Sequence, residues 1–142
     1  MPKLLMFVPC DRVIVDNEGV ISLISLIEKV QLAIPANIEI PDKATLPHRW
    51  TIVSIWRRDP DDIQQAYEQQ VEIFGEDGRA LIVTSGVTAV EFSMPLHRSF
   101  FHLTQMPMTE GNLVLAISLR KTGEEWQRIA EFPLDVDLLR PN

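Results

Sequence analysis

The chain has 142 residues, of which 20 are acidic and 13 are basic, so its formal net charge is −7. Hydrophobic residues make up 46% and charged residues 23% of the sequence, which is the balance of a globular domain and not of a disordered chain. The negative charge disfavours nucleic acid, which needs a clustered basic surface, and an anionic membrane surface. We therefore expect one domain over residues 1–142, with no nucleic-acid or membrane partner.

The N-terminal stretch and the cysteine content bear on the compartment. Cys10 is the only cysteine, so an internal disulfide is excluded. The apolar stretch Leu4–Val8 is shorter than the roughly 7–15 apolar residues of a secretory signal. No apolar run reaches the about 18 residues of a membrane span. We expect a cytoplasmic protein whose thiol stays reduced.

The first third of the chain divides into short apolar segments. Leu4–Val8 and Val13–Val15 predict two strands that are split by Pro9, Cys10 and Asp11. Residues 16–19 have the sequence DNEG, and they predict a tight turn because Asn and Gly tolerate a positive φ.

The segment Val20–Ile34 leaves two structures open. Its apolar residues fall near helical spacing, which is typical of an amphipathic helix. It lacks an N-terminal capping box and is rich in Val and Ile, so we favour a long strand with a bulge near Ser25. Pro35, Pro41 and Pro47 then predict an irregular connection.

A strand over His48–Arg58 has apolar residues on both faces. Trp50, Ile52 and Trp56 share one parity, and Val53 and Ile55 share the other. Only one face of a sheet points into the core of a two-layer sandwich. A loop, the Val20–Ile34 segment or a second chain must cover the other face, and this favours a homodimer.

The remaining segments alternate with the period of strands. Two segments of strict alternation, Leu113–Arg120 and Glu131–Leu138, predict a hairpin that turns at Lys-Thr-Gly-Glu. Further strands are expected at Tyr67–Ile73, Ala80–Thr84, Val87–Met94 and Ser99–Gln105, with a loop over Met106–Asn112. About eight or nine strands at this spacing predict an all-β sandwich or barrel.

Two segments resemble known proteins. Met106–Leu113 looks like the loop that leads into strand F of immunoglobulin-like sandwiches, with Asn112 or Leu113 in the place of the usual tyrosine. Cys10–Asp16, Gly19 and Ile21–Ile24, together with the C-terminal hairpin, resemble a family of small uncharacterised bacterial proteins known only as a domain of unknown function. The resemblance implies a single antiparallel immunoglobulin-like or C2-like β-sandwich and assigns no catalytic residue.

The histidines and tryptophans are candidates for binding. His97 and His102 are five residues apart, so they face opposite ways on one strand, whereas a metal pair needs a spacing of two. His48 has no His or Cys near it in the sequence. We expect no metal and no cofactor. Trp50, Trp56 and Trp126 are expected in the core, with a stacking platform for sugars as the alternative.

The acidic groups fall in expected turns, where Asp is a favoured residue. They are Asp16 with Glu18; Asp59 with Asp61 and Asp62; Glu76 with Asp77; and Asp135 with Asp137. If two of these turns met at one end of the sandwich, their oxygens could bind Ca²⁺.

Three functions follow from these patterns. The leading hypothesis is a non-enzymatic β-sandwich that mediates protein–protein contacts or self-association. One alternative is a ligand-binding module for sugar or for Ca²⁺-dependent contacts. The other is a small enzyme that uses Cys10, which needs an adjacent histidine as base, although Cys10 is expected to be a buried apolar residue.

Overall fold

The computed structural model describes residues 1–41, 43–83 and 86–141, with backbone alone at 82 and 83, and shows two β-sheets packed together. Strands make up 65% of the described residues, so the all-β sandwich prediction is confirmed. In chain order the strands are β1 Lys3–Val15, β2 Ile21–Leu26, β3 Lys29–Ala33, β4 Thr45–Arg57, β5 Ala66–Phe74, β6 Ala80–Val83, β7 Thr88–Glu91, β8 Leu96–Pro107, β9 Gly111–Lys121 and β10 Gln127–Leu139.

The first sheet has the strand order β2-β1-β4-β8 and is antiparallel throughout. The second sheet has the order β3-β10-β9-β5-β6, and β7 also pairs with β5. Its β3–β10 pair is parallel, which departs from the predicted antiparallel sandwich. The chain passes from β2 in one sheet to β3 in the other through Ile27 and Glu28, so it enters the second sheet directly beside β10.

The core lies between the two sheets and is built from alternate residues of their strands. β4 contributes Trp50, Ile52 and Trp56, each no more than 1% exposed. The second sheet contributes Tyr67, Val71 and Ile73 from β5, Leu113, Leu115, Ile117 and Leu119 from β9, and Leu134 and Val136 from β10. The period-two pattern of the C-terminal hairpin therefore marks the inward face correctly.

The predicted break at Pro9 is wrong, because β1 is one continuous strand. Pro9 lies opposite Ile52 of β4, but its carbonyl oxygen accepts a hydrogen bond from the Ile27 N–H on the other side. The N and C=O of one residue in a strand face the same way. Proline has no N–H to donate, and at Pro9 this missing N–H is on the side of β2, whose pairing with β1 stops there. The pairing of β1 with β4 therefore loses no hydrogen bond.

The helix alternative for Val20–Ile34 is wrong, and the strand interpretation is confirmed in two pieces, β2 and β3. Ser25 has φ +56°, an irregularity at the position expected for a bulge. The strand ends one residue later, at Leu26, where the chain changes sheets. Because the chain changes sheets here, neither the even-numbered nor the odd-numbered residues of Val20–Ile34 are apolar throughout.

Several predicted bounds shift by a few residues. β4 begins at Thr45 and includes Pro47, beside a shift in its register with β8. β8 and β9 extend into the predicted Met106–Asn112 loop and leave only residues 108–110 between them. Thr84, the predicted end of β6, lies outside the described residues.

Gly111 at the start of β9 fits closely beneath the β5–β6 turn. Its φ is +126°, and a Cβ placed there would lie 2.7 Å from Glu76 Oε1. The same oxygen accepts a hydrogen bond of 2.8 Å from the Asn112 N–H. Gly111 therefore permits a contact that ties the turn to the second sheet.

We predict that Gly111→Ala lowers the free energy of unfolding by about 2–3 kcal/mol, from backbone strain plus displacement of Glu76. Gly123→Ala is the matched control, because Gly123 also has a positive φ of +87° but has open space at its Cβ position. It should cost about 1 kcal/mol. Urea titrations compare the two variants, and equal losses would contradict the role assigned to Glu76.

Candidate interaction surface on the first hairpin

The hairpin of β1 and β2 folds back over the outer face of the first sheet. Arg98 of β8 lies opposite Ile55, which lies opposite Met6 of β1. Gly19 is thirteen residues beyond Met6, or about 43 Å of extended strand. Nevertheless, Arg98 Nη1 donates a hydrogen bond of 2.8 Å to the Gly19 carbonyl oxygen. Residues 11–26 must therefore bend back across the sheet.

This return accounts for the burial of the outer face of β4. Val53 and Cys10 are 0% exposed, and Thr51, which lies opposite Cys10, is 5% exposed, although all three point away from the core. The second apolar face of this strand is thus covered, as predicted, and the cover belongs to the same chain, partly to the Val20–Ile34 segment. Trp56 points into the core and is not part of that covered outer face, and the homodimer stays a prediction.

The turn at the hairpin tip has the predicted chemistry. Asp16 Oδ1 accepts hydrogen bonds of 2.9 Å from the N–H groups of Glu18 and Val20. Gly19 takes the positive φ of +79° that the sequence indicated. The Asp16 carboxylate is therefore used to hold the turn in shape.

The hairpin presents apolar side chains to solvent. Val13, Ile21 and Leu23 are half-buried. Four others form what we call the hairpin surface, with exposed fractions of about one half: Ile14 45%, Val15 51%, Val20 57% and Leu26 54%. No residue from Val20 to Ile27 carries a charge. Sequence reasoning missed this surface, because alternation along a strand does not tell whether either of its faces is open to solvent.

The tryptophans do not assemble into a stacking platform. Trp50 and Trp56 are buried between the sheets, as the leading interpretation predicted. Trp126 is half-buried, and the Arg120 guanidinium lies 4.3 Å from its ring centroid. Arg120 in turn forms an ion pair with Glu68. The exposed face of Trp126 is thus occupied by a cation–π contact.

Cys10 lies under the hairpin, and burial raises the pKa of its thiol. A thiol of this kind is a poor nucleophile. His48 lies beside Asp11, with 3.5 Å between Nε2 and Oδ1. His102 contacts the Thr51 hydroxyl through Nδ1 at 3.1 Å. The three histidines are therefore distributed among separate contacts, and His97 belongs to the polar chain described next.

A polar chain crosses the core between the sheets, and no sequence pattern indicates it. Trp56 Nε1 donates to Gln69 Oε1 at 3.2 Å, and Gln69 Nε2 donates to Ser99 Oγ at 2.7 Å. Ser99 Oγ lies 3.1 Å from His97 Nε2, and burial lowers the pKa of that imidazole. The neutral ring is therefore favoured, and its tautomer decides whether the Ser99 hydroxyl donates to Nε2 or accepts from it. The buried Ser54 hydroxyl has no partner among the described residues.

The acidic groups lie in separate places and have local partners. Asp77 accepts from the Arg79 N–H in the β5–β6 turn. The turn expected at Asp135 and Asp137 is wrong, because both lie within β10, where Asp137 pairs with Lys29. In the described ranges, no group of three or more His, Cys, Asp or Glu side chains is placed to hold a metal ion.

Asp62 is the one buried carboxylate of these groups, at 1% exposure. It accepts a hydrogen bond of 2.6 Å from the Tyr67 hydroxyl and another of 2.7 Å from the Asp59 N–H. The Met1 amino group lies 3.4 Å from it. Burial alone would raise its pKa, but these partners outweigh burial and lower the pKa of Asp62.

A groove of about 450 Å³ opens between β3 and the start of β4. Its walls include Leu26, Val30, Leu32 and Leu46, with Asp11 and His48 also lining it. The groove begins where the hairpin leaves the sandwich, so one end of the hairpin surface continues into it through Leu26.

The comparisons with known proteins add no family. A scan against protein-family models finds no match for this sequence, and a search of curated proteins finds none either. Among the described residues there is no helix long and apolar enough to cross a membrane.

We predict that Trp56→Ala lowers the free energy of unfolding by about 3–5 kcal/mol, because it leaves a cavity and removes the donor to Gln69. Trp126→Ala, at a half-buried surface position, is the matched control and should cost about 1 kcal/mol. Denaturant titration monitored by circular dichroism measures both. A mild effect at Trp56 with retained fold would contradict its place in the core.

We predict that Asp62→Asn destabilises the fold at neutral pH by about 1–3 kcal/mol, because the hydrogen bonds of Asp62 are weakened. The folded-state pKa of Asp62 is lowered, so its charge contributes fully above the unfolded pKa of about 3.9 and loses its contribution as pH falls further. The gap between wild type and variant should therefore stay constant from pH 7 to 5 and narrow below pH 4. Asp61→Asn, next to it but exposed, should show no gap.

Proposed function

We propose that this chain is a non-enzymatic, cytoplasmic β-sandwich that binds protein through the hairpin surface. The observation that supports this is the set Ile14, Val15, Val20 and Leu26, each about half exposed on a hairpin whose second strand is uncharged. Soluble monomers rarely leave contiguous apolar patches beyond a few hundred Å² open to water, and larger ones mark contact sites.

The position of the hairpin also supports a contact role. It forms an outer layer above the first sheet, held there by Arg98 and by its own Asp16 turn. A partner can therefore reach its outer side without disturbing the core. Rigid strands also hold apolar side chains at fixed spacing, which lowers the entropy lost on binding.

The other functions have less support. A sugar platform needs exposed aromatic faces, whereas Trp50 and Trp56 lie in the core. A nucleophilic role for Cys10 needs a reactive thiolate, whereas burial raises the pKa of this thiol. The resemblance of the N-terminal segment to uncharacterised small bacterial β-sandwich proteins stays a prediction and is compatible with a binding role.

We predict that a photo-crosslinking amino acid at Val20 forms a discrete protein adduct in cells that express the full chain. The same amino acid at Val87, which is 53% exposed but lies outside the hairpin, is the control and should form none. Leu26→Asp in the Val20-labelled protein should abolish the adduct, because a charge in the apolar contact must be desolvated. Gel shifts and mass spectrometry identify the adducts. Equal labelling from both positions, or none from Val20, would contradict the proposed function.

A further inference from the structure

β2 is an edge strand with an open side. It pairs with β1 along one edge, and no other strand of the described chain pairs with it. Exposed edge strands are templates for further pairing, and proteins commonly protect them with charged side chains. β2 has six residues, ISLISL, and none of them is charged.

Three other edge strands carry such charges: β8 has Arg98, β3 has Lys29 and β7 has Glu91. β6, at the far edge of the second sheet, has the uncharged sequence ALIV, but it has only four residues, and a very short edge strand is itself a form of protection. β2 is longer and has neither kind of protection.

Resting on the proposed function, we propose that the partner is a second copy of this chain, joined antiparallel from β2 to β2 across a two-fold axis. The paired hairpins then form one four-stranded layer, β1-β2-β2-β1, over the two first sheets. A two-fold contact uses the same patch on both copies and is the commonest symmetry of homo-oligomers.

Charge favours this edge for self-pairing. Each copy carries a net charge of −7, so two copies repel each other at long range. A two-fold axis also brings the residues beside it close to their own counterparts, and like charges in paired strands are destabilising. The uncharged stretch from Val20 to Ile27 meets this requirement, because it brings no like charges together.

The size of the contact sets the expected strength. β2 is about 20 Å long, and the two-fold axis passes beside Leu23, near its middle, because directly opposite residues of an antiparallel pair point to the same face. Leu23 then lies opposite its own counterpart, and each Ser22 lies diagonally across from the other on one face. Pairing there joins the open backbone edges of the two β2 strands and brings the Val20 and Leu26 parts of the hairpin surface to the interface. A contact this short belongs with small interfaces, so we expect a dimer that dissociates in the range of about 10–100 µM.

The test is sedimentation velocity from about 5 to 500 µM with charge variants at Ser22, an exposed residue of β2. Ser22→Lys and Ser22→Glu should each weaken the dimer at least tenfold, because each places like charges at the two-fold contact. An equimolar mixture of the two variants should form a heterodimer, because the opposed charges then attract. Only a contact between β2 strands of two copies restores association in the mixture.

Thr104→Lys is the matched control, because Thr104 is exposed on the edge strand β8. It should leave the dimer unchanged, and circular dichroism should show that all variants are folded. A wild-type chain that stays monomeric at 500 µM, or a mixture of Ser22 variants that stays monomeric, would overturn the dimer. If the monomeric chain still crosslinks another protein at Val20, the proposed function stands and this inference alone fails.

Discussion

Both faces of β4 are apolar, and a two-layer sandwich buries only one of them. Trp50, Ile52 and Trp56 occupy the core, and Val53 is left on the other side. The structure meets this constraint with a third layer, the hairpin of residues 11–26. The long β1 strand, the Arg98–Gly19 hydrogen bond and the buried Cys10 are all consequences of that solution.

Covering one apolar face exposes another. The hairpin buries β4 beneath it, but it has nothing above it, and its own apolar residues meet solvent. The surface that we propose for binding thus belongs to the hairpin that covers β4. One hairpin can do both, because it has two faces and only one of them is needed to cover the sheet.

The polar chain from Trp56 to His97 has a different part in the fold. Apolar packing tolerates small shifts of one sheet over the other, whereas hydrogen bonds between buried groups do not. Gln69 of β5 bonds Trp56 of β4 and Ser99 of β8, so it links the two sheets at a fixed register. No spacing rule could find this link, because its members lie far apart in the chain and each has a polar or aromatic side chain that also suits the surface.

The sequence by itself determined the all-β class, the Asp16–Gly19 turn and the C-terminal hairpin, because alternation and turn chemistry act between residues close in the chain. It left Val20–Ile34 open between strand and helix, because a strand that changes sheets shifts its inward face part-way. It located the two-sided apolar strand at Trp50–Trp56 but not its cover. Only the tertiary structure decided that residues 11–26 return over β4, since that depends on contacts such as Arg98 with Gly19, 79 residues apart in the chain. The exposed hairpin surface follows from that return, and local sequence rules contain no information about it.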